Sequence, residues 1–278
     1  MSRRRWSQPS NVVEITHHGT PPPTDRIIKT SGKRSSPDWD VPEETPVAFV
    51  YNQRNYVVML ATPADLSDFA VGFSLTERVI DGVDEISSID IYQEKRGIDL
   101  RFKIRSDRID RLDVRQQRRN MVGRAGCGVC GLENAEVFFE SLPRVTDHRV
   151  SLSQTALTKA HADFDNHQPL SARTRTVHGA AWVSTDGEIK LVREDVGRHN
   201  ALDKLIGALA SNGADFSDGY VMISSRCSYE IIEKSARVGI KAVAALSGPT
   251  AFALKKAAEA NIALYCRSDD EFVAAVSD

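Results

Sequence analysis

Cys127 and Cys130 lie two residues of chain apart from being neighbours and are set among Gly126, Gly128 and Gly131. Glycines permit unusual backbone angles and close approach of another molecule, so this segment is expected to be an exposed, adaptable loop. Arg124 stands just before it and a helix is expected over 133–139; positive charge and a helix start both favour the thiolate, which attacks sulfur or binds metal. Three chemistries use such a pair. Structural zinc needs four ligands, whereas the pair supplies two, Cys227 and Cys266 are distant in sequence, and there is no second C-x-x-C. Thiol–disulfide exchange in a thioredoxin-like fold expects the pair just after an early strand of a βαβ unit, but here an arginine-rich run precedes it. A sulfur carrier holds sulfane sulfur on a low-pKa thiolate as a persulfide, and a second thiol assists or resolves its release. A zinc deaminase is excluded, because no histidine has Glu two residues later and Gly126, not proline, precedes Cys127.

The preceding run carries Arg111, Arg115, Arg118, Arg119 and Arg124 against one acid, Asp113. It is either a solvated face or a positive approach to the cysteine loop. A second group of polar residues falls where strands should end and helices begin: Ser224-Ser225-Arg226, Ser247-Gly248-Pro249-Thr250 and Tyr265-Cys266-Arg267-Ser268. Helix N-termini at the carboxyl ends of strands favour phosphate, so a nucleotide-like or phosphorylated ligand fits there, although helix capping alone also selects Ser and Thr. Asp195-Val196-Gly197-Arg198-His199-Asn200 adds another polar turn, in which Arg198 and His199 could contact phosphate or a catalytic thiol, or belong to a cap network. His178, in an apolar strand, is expected to be a satisfied core histidine.

These residues need a scaffold, and the composition supplies one. The chain has 278 residues, 41% hydrophobic and 27% charged, which suits a folded protein and rules out collagenous, disordered and disulfide-framework classes. Lys and Arg total 36 against 38 for Asp and Glu, so no global field draws the chain to nucleic acid or anionic membrane. No apolar run approaches the roughly 18 residues of a spanning helix, and a cytoplasmic location is expected.

Residues 1–40, with Arg3 to Arg5 and Pro21 to Pro23, are expected to form a mobile tail. A β-containing region follows over 41–110. In it, 47–51 and 56–61 form a hairpin, Thr62 caps a helix that runs to about Val79, and Ile98, Leu100, Phe102 and Ile104 alternate with polar residues in a second hairpin. The basic segment, cysteine loop and following helix occupy 111–145. From 146 to 278 the pattern becomes α/β: a hairpin through Asp186-Gly187, then helices at 199–209, 229–238 and 250–260 between strands at 220–224, 242–246 and 262–266. Such spacing implies a largely parallel sheet.

At Gly123-Arg124-Ala125-Gly126-Cys127-Gly128-Val129-Cys130-Gly131 the sequence resembles the FdhD family of sulfur carrier proteins needed for formate dehydrogenase activity. Glu44-Thr45-Pro46, Val71-Gly72-Phe73, Glu194 to Ala201, and Ser224-Ser225-Arg226 with Tyr229-Glu230 resemble family blocks in the same order. The resemblance implies an α/β protein whose C-terminal region is cytidine-deaminase-like without the zinc chemistry, with a smaller β-containing α+β region before it, assembled as a homodimer. It implies that sulfur from a cysteine desulfurase passes as a persulfide on Cys127, with Cys130 as partner, to a molybdenum or tungsten bis-molybdopterin guanine dinucleotide cofactor before that cofactor enters formate dehydrogenase. The implied cofactor contact falls on Tyr265, Cys266, Arg267, Ser268, Asp269 and Asp270, with Ser224 and Arg226 beside it. Two departures stand out: Ser225 occupies a glycine position, and Asp269 and Asp270 repel phosphate unless they turn toward a guanine edge or solvent. The residues alone leave open a non-catalytic nucleotide- or zinc-binding module and a thiol–disulfide oxidoreductase.

Overall fold

In the computed structural model, which describes residues 13–28, 39–94, 96–109, 112, 141–145 and 150–275, strand formation begins within the expected tail. There, β1 (Glu14–Gly19) and β2 (Asp25–Ile28) precede β3 (Trp39–Pro42). The described part of the segment expected as a mobile tail over 1–40 thus carries strands. The β1 sequence has no apolar alternation, and it holds its place by pairing in parallel with a distant strand, Glu14 opposite Ser88 through Gly19 opposite Gln93. β4 (Thr45–Tyr51) and β5 (Arg54–Ala61) form the expected first hairpin. Asn52 and Gln53 turn it with φ of 46° and 71°, the left-handed pair that matches the twist of a two-residue hairpin loop.

Next comes α1 (Leu66–Thr76), which starts later than expected, after Asp65 at φ 51°. Thr62 is not its cap. Its N–H donates to Asp195 Oδ2 (2.9 Å) and its hydroxyl accepts from Val196 N–H (3.1 Å), so a long-range contact has claimed the capping side chain. β6 (Ile86–Glu94) and β7 (Gly97–Ile104) form the second hairpin, and Ile98, Leu100, Phe102 and Ile104 are buried as their alternation requires. The resulting sheet has the order β1-β6-β7-β4-β5.

The second half opens with α2 (Gln154–Phe164), capped by Ser153, whose hydroxyl accepts from Ala156 N–H, and α3 (Pro169–Thr174). Then follow β8 (His178–Ser184), β9 (Ile189–Asp195), α4 (Arg198–Ser211), β10 (Gly219–Ile223), α5 (Tyr229–Val238), β11 (Ala242–Ala245), α6 (Ala251–Ala260), β12 (Ala263–Ser268) and β13 (Glu271–Ala275). Their sheet has the order β13-β12-β11-β10-β8-β9. Only β10, β11 and β12 run parallel; β8, β9 and β13 join antiparallel, so the expected parallel sheet is confined to the centre. There Gly219–Ile223 and Ala242–Ala245 are buried at every position, as a strand covered on both faces must be.

One face of this sheet carries α2, whose Leu157, Ala160 and Phe164 pack with Tyr220, Met222 and Tyr265. The other carries α4, α5 and α6, and these share a core with α1 and the first sheet, so the regions expected at 41–110 and 146–278 are joined by continuous apolar packing. α1 and α4 meet backbone to backbone. A Cβ added to Gly72 would lie 1.7 Å from Asp203 O, and one on Gly207 1.9 Å from Asp68 O. Beside this crossing Phe49, Phe69 and Phe73 pack edge-to-face or tilted, with ring centroids 4.1 to 6.1 Å apart. Among the described residues no helix is long and apolar enough to cross a membrane.

Candidate functional site

Because β10, β11 and β12 run parallel, with Ile223 opposite Ala245 and Ala245 opposite Cys266, their carboxyl ends open on one sheet edge. Ser224 seals that edge to β8: its N–H donates to Gly179 O (3.0 Å) and its hydroxyl accepts from Gly179 N–H (2.9 Å). Ser225 is buried and donates to Arg226 O, whereas Arg226 is exposed and has no ion pair among the described residues. Cys227 bridges to Pro249, and Thr250 accepts from Ala253 N–H (3.2 Å), which makes Thr250 an ordinary helix cap.

The expected cofactor segment divides between faces. Tyr265 is buried on the α2 side, and its hydroxyl accepts from Leu152 N–H at 2.9 Å. Cys266 points the other way, into the core that holds Cys227. Arg267 returns to the Tyr265 side, where its charge acts on His161 and its guanidinium lies 3.8 Å from Asp270. Ser268, Asp269 and Asp270 form the exposed β12–β13 turn, Asp269 at φ 52° and Asp270 fully in solvent. Ser224, Arg226 and residues 267–270 thus follow strand ends on the same edge, while the side chains of Tyr265 and Cys266 are absorbed by packing.

Burial pushes the Cys227 thiol far up, with neighbouring Cys266 adding to the shift, and burial raises Cys266 to about 11. Both are held as neutral thiols near neutral pH, the inert form. Cys127, Cys130, Arg111, Arg115, Arg118, Arg119, Arg124 and the helix expected over 133–139 lie outside the described residues. Among the described residues, no group of three or more His, Cys, Asp or Glu side chains is placed to hold a metal ion.

A further polar cluster sits where β8 begins and α4 and α5 start. Asp195 is its foundation: fully buried, it accepts from Thr62 N–H, Gly197 N–H (2.8 Å), Asn200 Nδ2 (2.9 Å) and Lys204 Nζ (2.7 Å). This network fixes the turn that presents Arg198 and His199. His199 Nε2 lies 2.9 Å from Glu230 Oε2 and 3.3 Å from Ser228 Oγ. Burial works to raise the Glu230 carboxyl, but the hydrogen bond and charge of His199, with Arg198 and Ser228, bring it below its ordinary value. His178 is not the expected satisfied core histidine. It is half-buried, its imidazole has no hydrogen bond among the described residues, and it is pushed down by burial and by the charges of Arg198 and His199, with Asp195 opposing. Neither the His199–Glu230 pair nor the approach of His178 could be read from sequence spacing, since each depends on where two separate elements end.

Several known proteins are similar to this chain in sequence or in fold. The sulfur carrier protein FdhD of Cupriavidus necator is 44% identical over 248 residues, covering 87% of this chain and 85% of that protein. The protein of the same name from Xanthomonas euvesicatoria is 45% identical over 239 residues, 86% of this chain and 84% of the relative. A crystal structure described as a formate dehydrogenase accessory protein from Desulfotalea psychrophila superposes with a TM-score of 0.66 at 23% identity, covering 91% of this chain and 95% of the other, and so shares the fold. The FdhD/NarQ family model matches residues 42–274, and the chain belongs to the FdhD/NarQ family.

Proposed function

We propose that this protein is a cytoplasmic, homodimeric sulfur carrier that takes sulfur from a cysteine desulfurase and delivers it to a molybdenum or tungsten bis-molybdopterin guanine dinucleotide cofactor bound for formate dehydrogenase. The observation that carries this proposal is the kinship with proteins named sulfur carrier protein FdhD, at 44% and 45% identity over most of the chain. The thiol inventory supports it. Cys227 and Cys266 are buried and held protonated, which leaves Cys127 and Cys130 to carry sulfur.

In the loading step the Cys127 thiolate attacks the outer sulfur of the desulfurase persulfide. The donor S–S bond breaks, the donor leaves as a thiolate, and a new S–S bond forms on Cys127. In the release step the Cys130 thiolate attacks Cys127 Sγ, the outer sulfur departs as hydrosulfide toward the cofactor, and the Cys127–Cys130 disulfide that remains is returned to two thiols by a dithiol reductant. The cofactor is cargo, and its nucleotide ends meet the exposed polar edge that carries Arg226, Arg267 and Ser268.

Mass spectrometry of the full chain after incubation with a cysteine desulfurase and cysteine should place one added sulfur on Cys127. In Cys130→Ser the adduct should still form and should persist when acceptor is supplied. An unmodified Cys127, with sulfur elsewhere or absent, would overturn the proposal.

A further inference from the structure

We propose that β5 is the surface through which two copies of this chain join, strand to strand and antiparallel, about a twofold axis at Val58. The inference rests on the homodimeric part of the function proposed above and adds to it the face that does the joining. β5 ends the first sheet, so one side of its backbone has no neighbouring strand. Its register with β4 tells which groups face that side. Leu60 stands opposite Pro46, which has no N–H, so this pair cannot exchange two hydrogen bonds and is of the non-hydrogen-bonded kind. The ladder alternates. Val58 opposite Ala48 is therefore of the same kind, and the bonds to β4 come from Val57 opposite Phe49 and Met59 opposite Val47. It follows that the N–H and C=O of Val58 and the N–H of Leu60 point away from the sheet, and none of them has a backbone partner among the described residues. Leu60 O is taken by Asn200 Nδ2 at 2.8 Å, which closes the edge at that end and leaves Val58 at the centre of the open stretch.

The side chains at this edge are apolar as well. Val58 is 59% exposed and Leu60 51%, and they lie on the outer face across from Ala48 and the exposed Pro46. The other sheet edges are guarded by charge: β1 by Glu14 with His17 and His18, β9 by Lys190, Arg193 and Glu194, and β13 by Glu271 beside Asp269 and Asp270. From Tyr56 to Ala61, β5 has no charged residue. An edge with outward donors, an outward acceptor and an apolar strip accepts another strand.

A second copy of β5 suits this edge. With Val58 opposite Val58 of the second copy, each N–H donates to the other's C=O, which is the hydrogen-bonded pair of an antiparallel ladder and obeys twofold symmetry. Val58 and Leu60 of both copies then line one apolar strip on the outer face. The charges agree, because no charged side chain in the paired stretch is brought against its like. The two five-stranded sheets become one sheet continuous across the axis, and the unguarded edge is removed.

Sedimentation equilibrium of the full-length protein over a range of concentrations is the test. Wild type should sediment as two chains. Val58→Lys and Val58→Glu each set like charges against one another across the axis and should each weaken association at least about tenfold. An equimolar mixture of those two variants should regain it, because a twofold axis at residue 58 pairs the lysine with the glutamate. Val58→Pro deletes the outward N–H and spares the bonds to β4, so it should weaken association too. Val273→Lys, at an exposed apolar position on β13, should leave it unchanged. A monomeric wild type would overturn this surface and the homodimeric reading together. A wild-type dimer unmoved by Val58→Lys and Val58→Pro, or a mixture that stays monomeric, would overturn the surface and leave the homodimer standing. Should Val58→Pro not fold, the charge pair decides, since it alters only an exposed side chain. Sulfur loading on Cys127 is read by mass spectrometry and stands or falls separately.

Discussion

Lys204 Nζ lies 2.7 Å from Asp195 Oδ2, with both side chains fully shielded from solvent, and also donates to Thr62 O at 2.9 Å. The pair joins α4 to the end of β9 and, through Thr62, to the chain leaving β5. Removing one partner of such a pair strands the other charge in a medium that solvates it poorly. Lys204→Met should therefore cost about 3–5 kcal/mol of stability by urea denaturation. The exposed pair between Lys190 and Glu188, at 2.6 Å, provides the contrast: Lys190→Met should cost about 1 kcal/mol or less. Equal costs would mean that the buried pair is replaceable by ordinary packing.

The crossing of α1 and α4 tolerates no side chain at its centre. Gly72→Ala would set a Cβ 1.7 Å from Asp203 O, a backbone atom that cannot swing aside, and Gly207→Ala meets Asp68 O at 1.9 Å. Alanine normally favours a helix over glycine by about 1 kcal/mol. Here the sign should reverse, with each variant losing about 3 kcal/mol or more because the helices must separate. Thermal unfolding of the two variants checks this, and a melting temperature at or above wild type would show that the helices can slide apart freely.

Much of the scaffold was legible because local pattern and burial agree. Ile98, Leu100, Phe102 and Ile104 alternate in the sequence and are buried in the fold; Tyr229 to Val238 is helical in both. Failures came where distant groups overrode local signals. Thr62 has the type and position of an N-cap, but the Asp195 turn binds it; Glu14 to Gly19 lack strand patterning, yet β6 templates them. The candidate sites divide in the same way. The polar strand ends were visible as clusters, and the structure gathers them on one edge. That Cys266 faces Cys227 while Arg267 faces His161 required the pleat of β12, and the His199–Glu230 pair required two helix starts to meet.

Acid should weaken the fold through His178. Its pKa in the folded protein is below the ordinary 6.5, so the unfolded chain takes up a proton that the native state declines. Stability then rises with pH between the folded value and 6.5 and is lost as pH falls through that window, the loss levelling off once the native imidazole also protonates. Urea denaturation from about pH 7.5 to about pH 5.5 should give a steeper decline for wild type than for His178→Gln. Parallel curves would show that His178 titrates alike in both states.

The two structural thiols should resist alkylation in the native protein. Cys227 is wholly buried and Cys266 nearly so, and the Cys266 thiol is raised to about 11, so little thiolate forms at mildly alkaline pH and reagent cannot reach what does. Iodoacetamide treatment followed by peptide mass mapping should find both unmodified while the fold persists and both modified in urea. Any native label should be confined to Cys127 and Cys130. Cys227→Ala should unfold at lower urea without lowering sulfur uptake per folded molecule, because its thiol fills core space and carries no cargo. Native-state labelling of Cys227 or Cys266, or loss of uptake in folded Cys227→Ala, would place a buried thiol in the transfer path.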